Sequence, residues 1–251
     1  RAWKLYEMAT RMLPDEQGVQ HNADVFLNNL AYQHIEDGAY GKALRLLLFA
    51  DHEGRGAAVR SNIRVMMAIS FDRLASQAVE RLDMKELEEV LRFGHERLGK
   101  HPVLDHNHAL YVGRLAKRLA AQGELRKALK LMDRHMNWDK RFLSSRYAYL
   151  VSKAASAFQS QGEKERARQL LEREIPYLTR LGGDLNNLGV LEEMLGLHYF
   201  REEELEKAAR YFQLAMTHGN GSSARVNLGV CYFNLAVEAF NERACTRAQH
   251  F

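Results

Sequence analysis

One phrase recurs along this 251-residue chain and constrains its fold more than any other feature. An apolar residue and a small residue are followed three positions later by an aromatic or large one. A glycine then marks a turn, and an alanine opens a second amphipathic stretch. The phrase reads Leu30-Ala31, His34, Gly38, Ala43, Leu47, Ala50 at its first full appearance. It returns as Leu115-Ala116, Leu119, Gly123, Ala128, Met132, and again as Ala154-Ala155, Phe158, Gly162, Ala167, Leu171. Leu195-Gly196, Tyr199, Ala208, Phe212, Ala215 follows, and Leu228-Gly229, Tyr232 begins one more. The chain opens on what reads as the closing half of a unit: Ala2, Tyr6, Ala9, Pro14.

Each half of the phrase places apolar residues at helical spacing, so each predicts a helix with one buried stripe. The small residues let two antiparallel helices approach closely, and the larger ones fill the space between neighbouring pairs. One pair cannot bury both of its apolar faces, so pairs must stack. The small residue stands at 116, 155 and 196, steps of 39 and 41, and then at 229, a step of 33. Small residues also sit one heptad earlier, at Ala68, Ala109, Ala148 and Gly189. Seven residues are about two helical turns and nearly preserve a buried face. The first helices containing Ala109–Leu119 and Ala148–Phe158 are therefore expected to be about two turns longer than standard. In the second unit both Ala68-Phe71 and Leu74-Ala75 fit the phrase, and Asp83 reads as the cap of the helix that follows. Pro176 is expected to end or kink its helix near Ile175. Leu181-Gly182-Gly183-Asp184 then reads as stop and restart. His218-Gly219-Asn220-Gly221-Ser222 reads as a loop, with Ser222 or Ser223 capping the next helix.

In these residues the chain resembles the tetratricopeptide repeat (TPR) superfamily, in a long variety of about 40 residues per unit. The similarity covers nearly the whole sequence and is densest at 27–50 and 195–215. It implies an all-α fold: a right-handed superhelix, or α-solenoid, of about six antiparallel helix pairs, with about twelve helices and no strands. Residues 1–251 read as a single helical-repeat domain. The sequence starts within a helix pattern at Arg1, which reads as a fragment of a longer protein.

Composition excludes several alternatives. The net charge is +4, with both signs mixed along the chain, whereas a dedicated nucleic-acid binder shows a clustered basic face. No apolar run approaches the roughly 18 residues of a membrane span. Cys231 and Cys245 would lie roughly 20 Å apart on a helix, too far to bridge. They read as free thiols, which suits a reducing, cytoplasmic setting. His95, His101, His106 and His108, with Asp105, are the densest histidine group, and they read as surface and loop residues around Pro102. No metal site or cofactor is expected from them. His52-Glu53 lacks the second histidine of a zinc-protease motif, and Gly54-Arg55-Gly56 lacks the lysine of a phosphate loop. Cys231 reads as core. Glu88-Glu89, Glu192-Glu193 and Glu202-Glu203-Glu204 read as solvated faces or helix starts. Nothing points to an enzyme.

The resemblance implies that residues near the apolar-small pair of each first helix face the concave groove. The residue two before the small one is Asn29, Arg73, Arg114, Lys153, Met194 and Asn227 in turn. Asn28, Tyr32, Lys117, Ser152, Ser156 and Glu193 are neighbouring inward candidates. The column is basic in the middle with amides at both ends. Amides both donate and accept, which suits a peptide backbone, and arginine and lysine suit carboxylates. The expected peptide-binding residues are Asn28, Asn29, Tyr32, Arg73, Arg114, Lys117, Lys153 and Asn227. Asn29 matches one amide of the family's carboxylate clamp, but the lysine and asparagine expected in the preceding and same helices are absent or outside this sequence, which argues against a chaperone-tail receptor. The leading reading is a protein- or peptide-binding scaffold whose partner carries an extended, acidic segment. A regulatory sensor module of a larger signalling or transcription protein, and an assembly subunit using its convex face, are the alternatives.

Overall fold

Only three prolines interrupt the chain, and the apolar stripes at helical spacing fold as the sequence predicts. The computed structural model describes residues 2–13, 16–51, 57–182, 185–219 and 221–248. Pro14, the 52–56 segment, Gly183, Asp184 and Asn220, and the side chains of Ala2, Tyr6 and Cys245, lie outside that description. Among the described residues there are twelve α-helices and no strands.

The chain divides into two compact units, 1–118 and 119–251. The first contains α1 (Ala2–Met12), α2 (Gln17–Glu36), α3 (Tyr40–Asp51), α4 (Ala57–Arg81), α5 (Met84–Leu98) and most of α6 (Pro102–Ala121). Here α2 packs on α3, and α4 on α5 and on α2. A continuous core runs through Leu27, Ala31, Leu47, Met67, Phe71 and Leu104. Each such large side chain, fully withdrawn from water, stabilises the fold by about 1.5–3 kcal/mol. The two readings of the second unit are reconciled: Ala68, Phe71 and Ala75 are all buried on the single 25-residue helix α4.

The second unit contains α7 (Leu125–Arg134), α8 (Lys140–Ser160), α9 (Lys164–Leu181), α10 (Leu185–Arg201), α11 (Leu205–Thr217) and α12 (Gly221–Ala248). Sequential packing recurs here: α8 on α9, α9 on α10, α10 on α11, α11 on α12. The lengthened first helices are present, since α6 and α8 run 20 and 21 residues and hold the added heptads as helix.

The small residues of the phrase do what the packing argument requires. Ala31, Ala43, Ala116, Ala128, Ala155, Ala167 and Ala208 are completely buried, and so is Cys231. Gly196 is buried against Phe212. Gly229, at the same point of the last phrase, is exposed, with no side chain within 4 Å of its position.

Local signals set the helix ends. Asp83 caps α5 as expected, its Oδ1 accepting from the Glu86 N–H at 2.9 Å. Asp139 caps α8 in the same way through the Phe142 N–H. Two expectations are corrected. Pro176 does not end its helix: α9 continues through it to Leu181 and stops at Gly182, whose left-handed backbone (φ 63°) closes the last turn. A proline removes one helical N–H, and the packed stripe Leu171, Ile175, Leu178 carries the helix across that gap. Ser222 and Ser223 are not caps, because α12 starts at Gly221 and places both in its first turn.

Candidate functional site

The first helices α2, α4, α6, α8 and α12 carry all eight residues expected to bind a partner. In the first unit, Asn29, Tyr32, Arg73, Arg114 and Lys117 are exposed and Asn28 is half-buried. Arg73 on α4 and Arg114 on α6 flank one residue that the sequence did not single out, Tyr111. The Tyr111 hydroxyl donates to Asp72 Oδ1 at 2.8 Å, and Asn107 Nδ2 donates to the same oxygen at 2.7 Å. Asp72 thus ties α4 to α6. Burial is the first cause that raises the Tyr111 pKa, followed by the Asp72 carboxylate. Arg114 and Arg73 act the other way, so both guanidinium groups stand near enough for the phenol to feel their charge.

In the second unit Lys153 is exposed and Asn227 half-buried. Polar contacts join consecutive first helices here too. Asn187 Nδ2 of α10 donates to Ser145 Oγ of α8 at 2.8 Å, and Asn227 Nδ2 of α12 donates to Glu193 Oε1 of α10 at 3.3 Å. Ser152 Oγ approaches Met194 Sδ at 3.6 Å. Beside them an open depression of about 450 Å³ is lined by Asp139, Arg141, Phe142, Ser145, Arg146, Tyr149 and Asn187.

Phe142, Arg146, Tyr149 and Lys153 follow one another at intervals of four, three and four, so they share one face of α8. The Arg146 guanidinium stands 5.3 Å from the Phe142 ring centre, and the Lys153 ammonium 5.8 Å from that of Tyr149. Such contacts orient a cation without neutralising it. Of this stripe, sequence reasoning found only Lys153. The available signal was the heptad: Arg146 stands seven residues before Lys153 and repeats its place on the lengthened helix.

Several cations on the second helices are paired: Lys85 with Glu89, Arg92 with Glu96, Lys127 with Glu124, Arg166 with Glu163, Arg168 with Glu165 and Glu172, and Lys207 with Glu204. On the first helices, Arg73, Arg114, Lys117, Arg141, Arg146 and Lys153 enter no ion pair among the described residues.

Two acidic or histidine groups read as surface residues prove otherwise. Glu192 is buried and takes a 2.7 Å hydrogen bond with His218 Nδ1. Burial pushes its carboxyl pKa up against the opposing pull of His218. His108 is buried, and His95 Nε2 lies 3.0 Å from His108 Nδ1. No group of three or more histidine, cysteine or acidic side chains among the described residues is arranged to hold a metal ion. No described helix is long and apolar enough to cross a membrane.

No protein-family pattern matches the chain, and no curated protein matches it in sequence. Among solved structures it is similar to a thermophilic TPR protein of Thermus thermophilus, at 15% identity, covering 84% of this chain and 99% of that one, with a TM-score of 0.26. So loose a superposition supports no argument, and the architecture rests on the chain's own packing. Consecutive helices packed across buried small residues make this chain an all-α helical repeat.

Proposed function

We propose that this chain is a protein-interaction scaffold whose first-helix faces take up an extended, acidic segment of a partner. The observation that carries this reading is the set of exposed cations on α4, α6 and α8, Arg73, Arg114, Lys117, Arg141, Arg146 and Lys153, with no carboxylate partner among the described residues. Arg73, Arg114, Lys117 and Lys153 supply charge-assisted bonds to carboxylates. Asn28, Asn29 and Asn227 supply amides for the peptide backbone, and Tyr32 an exposed ring. Exposed pairs contribute little singly, about 0–1 kcal/mol each, so affinity must come from several acting together. Charge attraction also speeds encounter, and salt screens it.

The test uses a fluorescein-labelled ten-residue peptide of glutamate, serine and leucine, and a second peptide with lysine in place of glutamate. Fluorescence anisotropy should detect binding of the first and not the second, weakening between low and physiological salt. The double variant Arg114→Glu, Lys153→Glu should lose that binding while melting where the parent does, since both residues are exposed and outside the core. Equal binding by parent and double variant would remove these faces from the account.

A further inference from the structure

A second site lies on the other class of helix, in the cleft between α7 and α9. It has a volume of about 460 Å³, and its walls carry Arg126 and Lys130 from α7 and Arg173, Tyr177 and Arg180 from α9, above Tyr147 of α8. Two carboxylates also face it, and both are occupied from within. Glu174, almost wholly buried, accepts the Tyr147 hydroxyl at 2.7 Å on one oxygen and Arg173 Nε at 2.6 Å on the other. Asp133 accepts the Tyr177 hydroxyl. The two tyrosine rings lie 5.4 Å apart and form an aromatic floor. Burial, and then these carboxylates, raise both phenol pKa values, which keeps the hydroxyls protonated and donating.

A buried carboxylate persists only when its oxygens are satisfied, and the network meets that need without the rim cations. Arg126, Lys130 and Arg180 are exposed and have no carboxylate partner among the described residues. Arg180 is held in place by a 3.3 Å bond from its Nε to the Pro176 carbonyl oxygen, which leaves its terminal amino groups available. Arg126 and Lys130 stand one turn apart on one wall, and Arg180 stands on the other.

A carboxylate brings one negative charge and two oxygens in one plane. A phosphate monoester brings about 1.5 to 2 negative charges and three oxygens pointing apart. The second has the charge and the spread of oxygens to engage cations on both walls at once. We propose that the α7–α9 cleft binds a phosphate monoester, with Arg126, Lys130 and Arg180 on its oxygens and the Tyr147 and Tyr177 rings beneath the group that carries it. The site shares no residue with the first-helix faces and does not depend on the function proposed for them.

Calorimetric titration of the full chain tests this. The probes are a short phosphoserine peptide flanked by apolar residues, its serine and glutamate counterparts, and inorganic phosphate. The phosphoserine peptide should bind about tenfold or more tighter than the other two peptides, which is roughly one factor of ten in Kd. The variant Arg126→Gln, Arg180→Gln should lose that difference and keep the parent's circular dichroism and melting point. Lys130→Gln alone should weaken it partly. Inorganic phosphate binding as tightly as the phosphopeptide would support the site and assign it to a small phosphorylated molecule rather than to a peptide. Equal affinity for the glutamate and phosphoserine peptides, no binding by any probe, or unchanged affinity in the double variant would overturn the proposal.

Discussion

Gly196 lies under the ring of Phe212, so close that a methyl group on its α-carbon would stand 2.8 Å from Cε1 and 2.9 Å from Cδ1. Phe212 is fully buried and has nowhere to retreat. Gly229 holds the same place in the last phrase and meets nothing within 4 Å. The two glycines should therefore respond oppositely to alanine. Overpacking at Gly196→Ala costs about 1–3 kcal/mol, of which better helix propensity returns at most about 1 kcal/mol. Gly229→Ala meets no such clash and should gain up to about 1 kcal/mol from propensity alone. Urea denaturation of the two variants beside the parent checks the opposed signs. A loss at Gly229 as large as that at Gly196 would mean that α12 is covered in solution.

A second pair of opposed substitutions follows from the turns between helices. Gly123 and Gly162 end their turns with φ of 83° and 82°. Before α11 the equivalent place is taken by Glu203, at φ 62°. A side chain in this left-handed region costs roughly 1–2 kcal/mol, partly offset because glycine is freer in the unfolded chain. Glu203→Gly should raise stability by up to about 1 kcal/mol, and Gly162→Ala should lower it by about the same. Thermal melts of the two variants read both effects, and a fall in melting point for Glu203→Gly would show that its side chain earns its place through contacts.

The cap at the start of α5 allows a finer distinction. Asp83 Oδ1 takes the Glu86 N–H at 2.9 Å, and loss of such a cap costs about 0.5–2 kcal/mol. Asp83→Ala should show that loss and Asp83→Asn should largely avoid it, because asparagine retains the accepting oxygen. Equal losses in chemical denaturation would mean that the charge at the helix start, rather than the hydrogen bond, is what matters.

What could be read from sequence divides along a physical line. Periodicity reports which face of a helix is buried, so Ala31, Ala116, Ala155 and Ala208 were recognisable as contact points, and the added heptads of α6 and α8 as helix. Periodicity does not report which polar groups meet across helices. Asp72 and Tyr111 are 39 residues apart in the chain and form one clamp. Glu192 looked like half of a solvated acidic pair, and its burial depends on His218 arriving from the end of α11. Pro176 read as a helix stop or kink, and the stop is absent because the local rule omits the stripe that carries α9 past it. On α8, Lys153 was found and Arg146 missed, although both follow one rule, because the column was sampled once per repeat while the longer helix presents it twice.

The histidine pair between α5 and α6 makes stability depend on pH. His95 Nε2 and His108 Nδ1 stand 3.0 Å apart, a separation that accommodates one shared proton and not two. His108 is buried, and His95 is mostly so. Burial lowers the His95 pKa below its ordinary 6.5, while the Asp105 carboxylate 3.4 Å from Nδ1 and the Gly99 backbone oppose the shift without cancelling it. The sign follows from linkage. The unfolded chain takes up a proton at a higher pH than the fold does, so stability from the neutral ring is complete above 6.5. It is lost progressively as pH falls from that value through the lower folded pKa. The parent should therefore unfold at a lower urea concentration at about pH 5.5 than at pH 7.5, in a window above the range where most carboxylates titrate. His95→Gln should flatten that slope, whatever it does to stability at pH 7.5, since glutamine keeps a polar group and cannot titrate. Urea midpoints of both proteins across the window decide the matter. A slope in His95→Gln as steep as the parent's would assign the pH dependence to other groups.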